Sequence, residues 1–220
     1  MARCTETGPP ARKAPFAFFP TIKSRLLMKW DPAEFEYWYD RLSLGERKRK
    51  VWESLTSDQR KLWNERWTFR NFVRAAPLDI NPRTIDNRNP PEADILCQIS
   101  GELHYFELGE VTDASLARRA SIAAKQKKNT FGGPFSQLEP LCRIYEQKCG
   151  KTYDTHGHDV HLLLYYSTDH QVPHIDGLQV EISRRRDEIR NRLLQSPFKT
   201  AWLYDGWNKV IIETVQRFSR

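Results

Sequence analysis

Apolar positions along the chain change period several times, and each change predicts an element. Asp31 followed by Pro32 makes a helix start, with Asp as N-cap and Pro at the first helical position. That helix runs through "AEFEYWYDRL" and stops near Leu44-Gly45. A second helix starts at Thr56-Ser57-Asp58, where Thr56 and Gln59 have capping-box spacing. It continues to Pro77 with Leu62, Trp63, Trp67, Phe69, Phe72 and Val73 as a broad apolar face. "PLDINPRTIDNRNPP" reads as a loop, because prolines, asparagines and aspartates crowd it. "ADILCQI" and "LHYFELGEV" then read as two strands of a hairpin around "SGE".

Thr112 or Asp113 caps a predicted helix, "ASLARRASIAAKQKK", followed by a Gly-rich loop and a further helix, "LEPLCRIYEQKCGK". "DVHLLLYYS" is apolar without alternation, as a central strand covered on both sides should be. "QVEISRRRDEIRNRLLQS" reads as one late helix, and "TAWLYDGWNKVIIETV" as two short strands around Asp205-Gly206. This order predicts an α/β domain with a mixed central sheet flanked by helices. Residues 1–30 read as an N-terminal arm, 31–76 as a helical region packed on the core, and 77–220 as the α/β core.

With 220 residues the chain can bury a core without disulfides, and its 12% aromatic content excludes a disordered chain. Lys and Arg outnumber Asp and Glu by 35 to 28, a net +7 that favours an anionic partner, with nucleic acid foremost. None of the four cysteines forms a CxxC pair, which argues against a structural zinc site. Cys97 and Cys142 read as reduced core thiols. The opening stretch has no apolar run followed by a cleavage site, and no segment has the length of a membrane span. A cytoplasmic location follows as the expectation.

The hairpin carries the candidate chemistry. Asp94 and Glu107 stand on neighbouring strands, and hard divalent cations take one or two such carboxylates together with water and substrate phosphate. The strand period of two places Glu107 on the side of Tyr105 and Gly109, with Glu110 opposite. A bulge at Gly109 would swing Glu110 to the side of Glu107 as a third carboxylate.

"PPEADIL" and "HYFELGEV" resemble the core of the PD-(D/E)xK nuclease superfamily, the restriction-endonuclease-like fold, over roughly residues 60–170. The resemblance implies a DNA endonuclease in which Asp94 and Glu107 bind magnesium or manganese, and in which Glu65 matches the acid on the preceding helix. The family's lysine falls where this chain has Gly109. A lysine from elsewhere must therefore serve, or the fold is catalytically lapsed and acts as a nucleic-acid-binding or protein-interaction module. Lys125, Lys127 and Lys128 end the helix after the hairpin. Lys148 and Lys151, at the end of the next helix, are the preferred candidates, because that helix should pack near the sheet. Gln126 and Gln137 are possible polar helpers.

Three further groups compete for a role. His156, His158, Asp159 and His161 resemble a metal cluster, which Asp169, His170 and His174 could join only if their loops converge, yet a turn entering a strand carries such residues ordinarily. Arg184, Arg185 and Arg186, like Lys125, Lys127 and Lys128, could track phosphates, or form a solvated face paired with Asp187 and Glu188. The tryptophans at 38, 52, 63 and 67 read as core rather than as stacking platforms, and the N-terminal helical half could be a homodimer surface. "GGPFSQ" lacks the pattern of a phosphate-binding loop.

Overall fold

Alternation along three central strands divides the apolar residues into two cores. The computed structural model describes residues 33, 35, 46–112, 138–166, 175–206 and 208–217. In chain order these carry α1 (Glu46–Ser54), α2 (Ser57–Ala75), β1 (Ile80–Asn87), β2 (Ile95–Ile99), β3 (Glu102–Glu110), α3 (Leu138–Cys149), β4 (Asp159–Tyr166), α4 (Ile175–Arg184), α5 (Arg186–Leu194), β5 (Phe198–Asp205) and β6 (Val210–Gln216). The strands form one six-stranded sheet in sequence order. The β3–β4 and β4–β5 pairings are parallel, and the others are antiparallel. The architecture is α/β with a mixed sheet, as the order of elements predicts.

On β4, Leu162, Leu164 and Tyr166 belong to one core, and Leu163 and Tyr165 to the other. On β5, Ala201 and Leu203 separate from Trp202 and Tyr204 in the same way. The first core is covered by Leu141, Ile144 and Tyr145 of α3, Leu178 and Ile182 of α4, and Leu193 of α5. Phe69 and Phe72 of α2 cover the second. The Phe72 ring lies 5.4 Å from Trp202 and 6.0 Å from Phe106. Full burial of a side chain of this size contributes about 1.5–3 kcal/mol, so α2 is anchored on the sheet chiefly by these two rings. Its start is fixed by the Thr56–Gln59 capping box, in which both reciprocal hydrogen bonds are present.

The hairpin closes through Ser100 and Gly101, both at positive φ (50° and 90°), the geometry of a two-residue turn that matches strand twist. Three expectations need correction. The stretch read as a loop after α2 contains β1, an edge strand. Its apolar signal is only Ile80 and Ile85, both buried, and Pro82 is tolerated because the ladder shifts register between Asn81 and Asp86. There the Thr84 hydroxyl, in place of a backbone carbonyl, accepts from the Gln98 N–H at 2.9 Å. The single late helix is two, α4 and α5, divided at Arg185 (φ −102°, ψ 10°). Trp52, Trp63 and Trp67 are half-buried rather than core, and they contact one another, with Trp63 centroids 5.0 Å from Trp52 and 6.1 Å from Trp67. Trp38 lies outside the described residues, as do residues 1–30 and most of the first predicted helix. No helix among the described residues is long and apolar enough to cross a membrane.

At the other end of β3 and β4 from Glu110 and Tyr166, His104 and His161 are buried with Nδ1 and Nε2 3.1 Å apart. One imidazole N–H donates to the other ring, so the contact needs at least one neutral ring. Burial, reinforced by His104, pushes His161 down from 6.5 to about 4, while Asp159 opposes and Lys199 adds to the shift. The unfolded chain therefore takes up this proton between about pH 6.5 and 4, and the native state does not. Stability from His161 is complete above that window and is lost as pH falls through it. Urea unfolding at pH 7 and 4.5 should show a loss about 2 kcal/mol smaller in His161→Gln than in the unsubstituted chain. Equal losses would contradict this assignment.

Candidate functional site

The acids of the hairpin meet at the end of the sheet where β3 and β4 finish, between α2 on one face and α3 on the other. A cleft of about 770 Å³ opens there, and its walls include Lys61 and Glu65 of α2, Asp94, and Lys148 with Lys151 at the end of α3. Ligand sites of α/β sheets favour this position, outside the carboxyl ends of parallel strands.

Asp94 is placed by the backbone. Pairing of β2 with β3 ends at Ile95 and Phe106, and two residues beyond Phe106 the Leu108 N–H donates to Asp94 Oδ2 at 2.8 Å. The neighbouring Glu92 is engaged elsewhere: the Tyr105 hydroxyl donates to it at 3.1 Å, and Arg88 lies 3.4 Å away. Glu107 lies inside β3 and is only 4% exposed. Burial, followed by the Asp94 carboxylate, pushes its carboxyl above the usual range, while Lys148 and Lys151 pull it back. Glu65 faces the cleft from α2 with Lys61 3.4 Å from its Oε1. Burial and then Asp94 raise its carboxyl to about 7, against the pull of Lys61.

Gly109 makes no bulge. β3 pairs continuously with β4 through Gly109–Leu164 and Glu110–Tyr165, so Glu110 does not join the face of Glu107. It is exposed at the rim of the cleft on the Tyr165 side, where its carboxylate, with Glu65 and Asp94, adds to the rise of the Tyr165 hydroxyl produced mainly by burial. A Cβ on Gly109 would lie 2.7 Å from Leu164 Cδ2 and 3.0 Å from Ile144 Cγ2. It would also lie 3.5 Å from Lys148 Cε, so the stem of Lys148 runs past the space where a side chain at 109 would begin.

The Lys148 ammonium donates to Glu107 Oε1 at 2.5 Å and stands 4.0 Å from Asp94 Oδ2. Lys151 is 3.8 Å from the same Glu107 oxygen but half exposed. The sequence carries a sign of this difference. Leu141, Ile144, Tyr145 and Lys148 follow one helical stripe, and Ile144 packs on the sheet, so a lysine one turn later also faces the sheet. The sequence reading missed Arg60, Lys61, Asn64, Arg143 and Gln147 as cleft residues. Lys61 had a signal, since it stands four residues before Glu65.

Two oxygens from Asp94 and Glu107 converge on one cationic nitrogen, and the Asp94 charge raises both Glu65 and Glu107. Like charges held this close gain from a divalent cation. Among the described residues no three His, Cys, Asp or Glu side chains form a ready-made cation cage. Magnesium sites that act on phosphates usually draw only one or two carboxylates from the protein, so this donor set fits.

The histidine cluster is not assembled. His156 pairs with Asp154 at 3.3 Å, His158 is exposed, and His161 turns inward to His104. Asp159 is taken by Lys199 at 2.5 Å. The arginines at the junction of α4 and α5 are paired within the fold: Arg184 with Glu181 (3.5 Å), Arg185 with Glu188 (2.7 Å) and Arg186 with Glu213 (2.9 Å). Arg185 has the Glu188 partner of the paired-face alternative, while Arg184 and Arg186 pair with other acids. Lys125, Lys127, Lys128, Gln126, Gln137, Asp169, His170 and His174 lie outside the described residues. Comparison with family models, known proteins and solved structures finds no match.

Proposed function

We propose that the chain is a metal-dependent DNA endonuclease of restriction-endonuclease-like fold whose lysine comes from α3 instead of β3. The observation that carries this reading is the position of Lys148, with its ammonium at both carboxylates and its stem beside Gly109. Asp94 and Glu107 would hold magnesium or manganese, with Glu65 as the helical acid. The ion, when bound, neutralises phosphate charge and acts as a Lewis acid. The chain's own contributions are positional and electrostatic. Asp94 is fixed by the Leu108 N–H. Lys148 pulls the buried Glu107 carboxyl back against the upward push of burial and Asp94, and offers a positive charge where negative charge grows on a reacting phosphate. The net +7 supports a polyanionic substrate. The thiols of Cys97, Cys142 and Cys149 are all unbridged, which suits a reducing cytoplasm.

A second reading has its own support, since the Lys148 ammonium fills the space between the carboxylates and would leave a DNA-binding fold without turnover. One assay separates the two. Plasmid and linear DNA are incubated with magnesium or manganese, with and without chelator, and binding is followed in parallel. Chelator-sensitive cleavage is expected. Salt-sensitive binding with no cleavage under either metal would leave the lapsed fold.

A further inference from the structure

Two arginines on the cleft walls differ from the paired arginines at the junction of α4 and α5. Arg60 of α2 donates from Nε to the Trp52 carbonyl at 3.2 Å and from Nη2 to the Glu53 carbonyl at 2.9 Å, with its guanidinium 5.8 Å from the Trp52 ring centroid. Arg143 of α3 donates from Nη2 to the Thr112 carbonyl at 3.1 Å. Both line the cleft that holds Glu65, Asp94 and Lys148. Among the described residues neither has a carboxylate partner. Carbonyl acceptors orient a guanidinium without neutralising it, and its remaining N–H groups keep the planar fork that suits phosphate.

We infer that Arg60 and Arg143 grip backbone phosphates on either side of the reacting one, so that the substrate is a nucleic-acid strand and not a mononucleotide or an isolated phosphate ester. The inference deepens the nuclease reading and rests on it for the central phosphate. The two arginines stand on helices that cover opposite faces of the sheet, with the carboxylates between them. A strand crossing the cleft supplies one phosphate to each wall, and Lys61 and Lys151 add positive charge along its path.

The test measures binding of fluorescent DNA of about twelve nucleotides, with calcium replacing magnesium, across a salt series. Arg60→Gln and Arg143→Gln should each weaken binding about 5- to 10-fold and flatten the plot of log K against log salt by about 0.7–0.9, one phosphate's worth. Arg143→Lys should recover most of the slope, which a merely structural arginine would not do. A mononucleotide should compete poorly and show no dependence on either arginine. Unchanged affinity and slope in both Gln variants, with thermal unfolding preserved, would overturn the inference. Arginine-dependent binding without cleavage by any form of the chain sinks the hydrolase reading and leaves the strand grip standing. Cleavage with arginine-insensitive binding does the reverse.

Discussion

Replacing Lys148 by methionine is expected to lower metal-dependent DNA cleavage about 10²- to 10³-fold at neutral pH, the range for removal of one aimed electrostatic group. Methionine preserves most of the stem that passes Gly109 and removes only the ammonium. Glu107 then loses the nearest group that holds its carboxyl down, while burial and Asp94 still push it up. Its carboxyl then holds a proton to higher pH, and metal affinity falls with the lost charge. A carboxyl whose folded value lies above its unfolded 4.5 keeps a proton that the unfolded chain has released. The variant is therefore near normal in stability at about pH 5 and increasingly destabilised as pH rises, by up to about 3 kcal/mol, the lower range for breaking a buried ion pair. Lys151→Met should cost less than about tenfold in rate, since that group is half exposed and screened. Adding Gly109→Lys to the Lys148 variant should not restore cleavage, because the new Cβ would press on Leu164 and Ile144. A Lys148→Met protein that cleaves like the unsubstituted chain would reduce Lys148 to a structural counter-ion.

The hairpin and β4 were legible because their patterns are local. Alternation gave the β3 faces, two positive-φ residues fit the turn, and a run apolar on both sides marks a central parallel strand. β1 was hidden because an edge strand needs few apolar residues and tolerates Pro82, so its composition reads as loop. The break at Arg185 was hidden because Arg184, Arg185 and Arg186 all favour helix; the turn is tied down instead by long-range pairs such as Arg186 with Glu213. Asp94 and Glu107 were legible as acids on neighbouring strands. What placed them together was the Leu108 N–H and the reach of Lys148, 41 positions beyond Glu107. Glu110 was misplaced because a glycine in a strand has two explanations, a bulge or a close approach. Gly109 is the second, with α3 and Leu164 filling the space above it.

Asp94→Asn and Glu107→Gln should each reduce cleavage by at least about 10³-fold, the largest effects expected of any single substitution here. They should do so at little structural cost. In Asp94→Asn the amide oxygen of the new side chain can still accept the Leu108 N–H, so stability should stay within about 1 kcal/mol of the original. Asp94→Ala would lose that acceptor as well and fall by about 1–3 kcal/mol, with a backbone N–H left unsatisfied. Glu107→Gln removes a buried carboxyl whose ionised form is disfavoured by burial and by Asp94. Its stability at pH 8 should equal or exceed that of the unsubstituted chain, as expected where a charge is kept for function at the expense of the fold. Lys148 then keeps Asp94, at 4.0 Å, as a carboxylate partner. Urea midpoints at pH 8, together with manganese titration of each variant, separate loss of the ion from loss of the fold. Cleavage that survives both substitutions would reject the carboxylate pair as the site. A Glu107→Gln protein that is inactive and also much less stable would make Glu107 a structural partner of Lys148 in the first place.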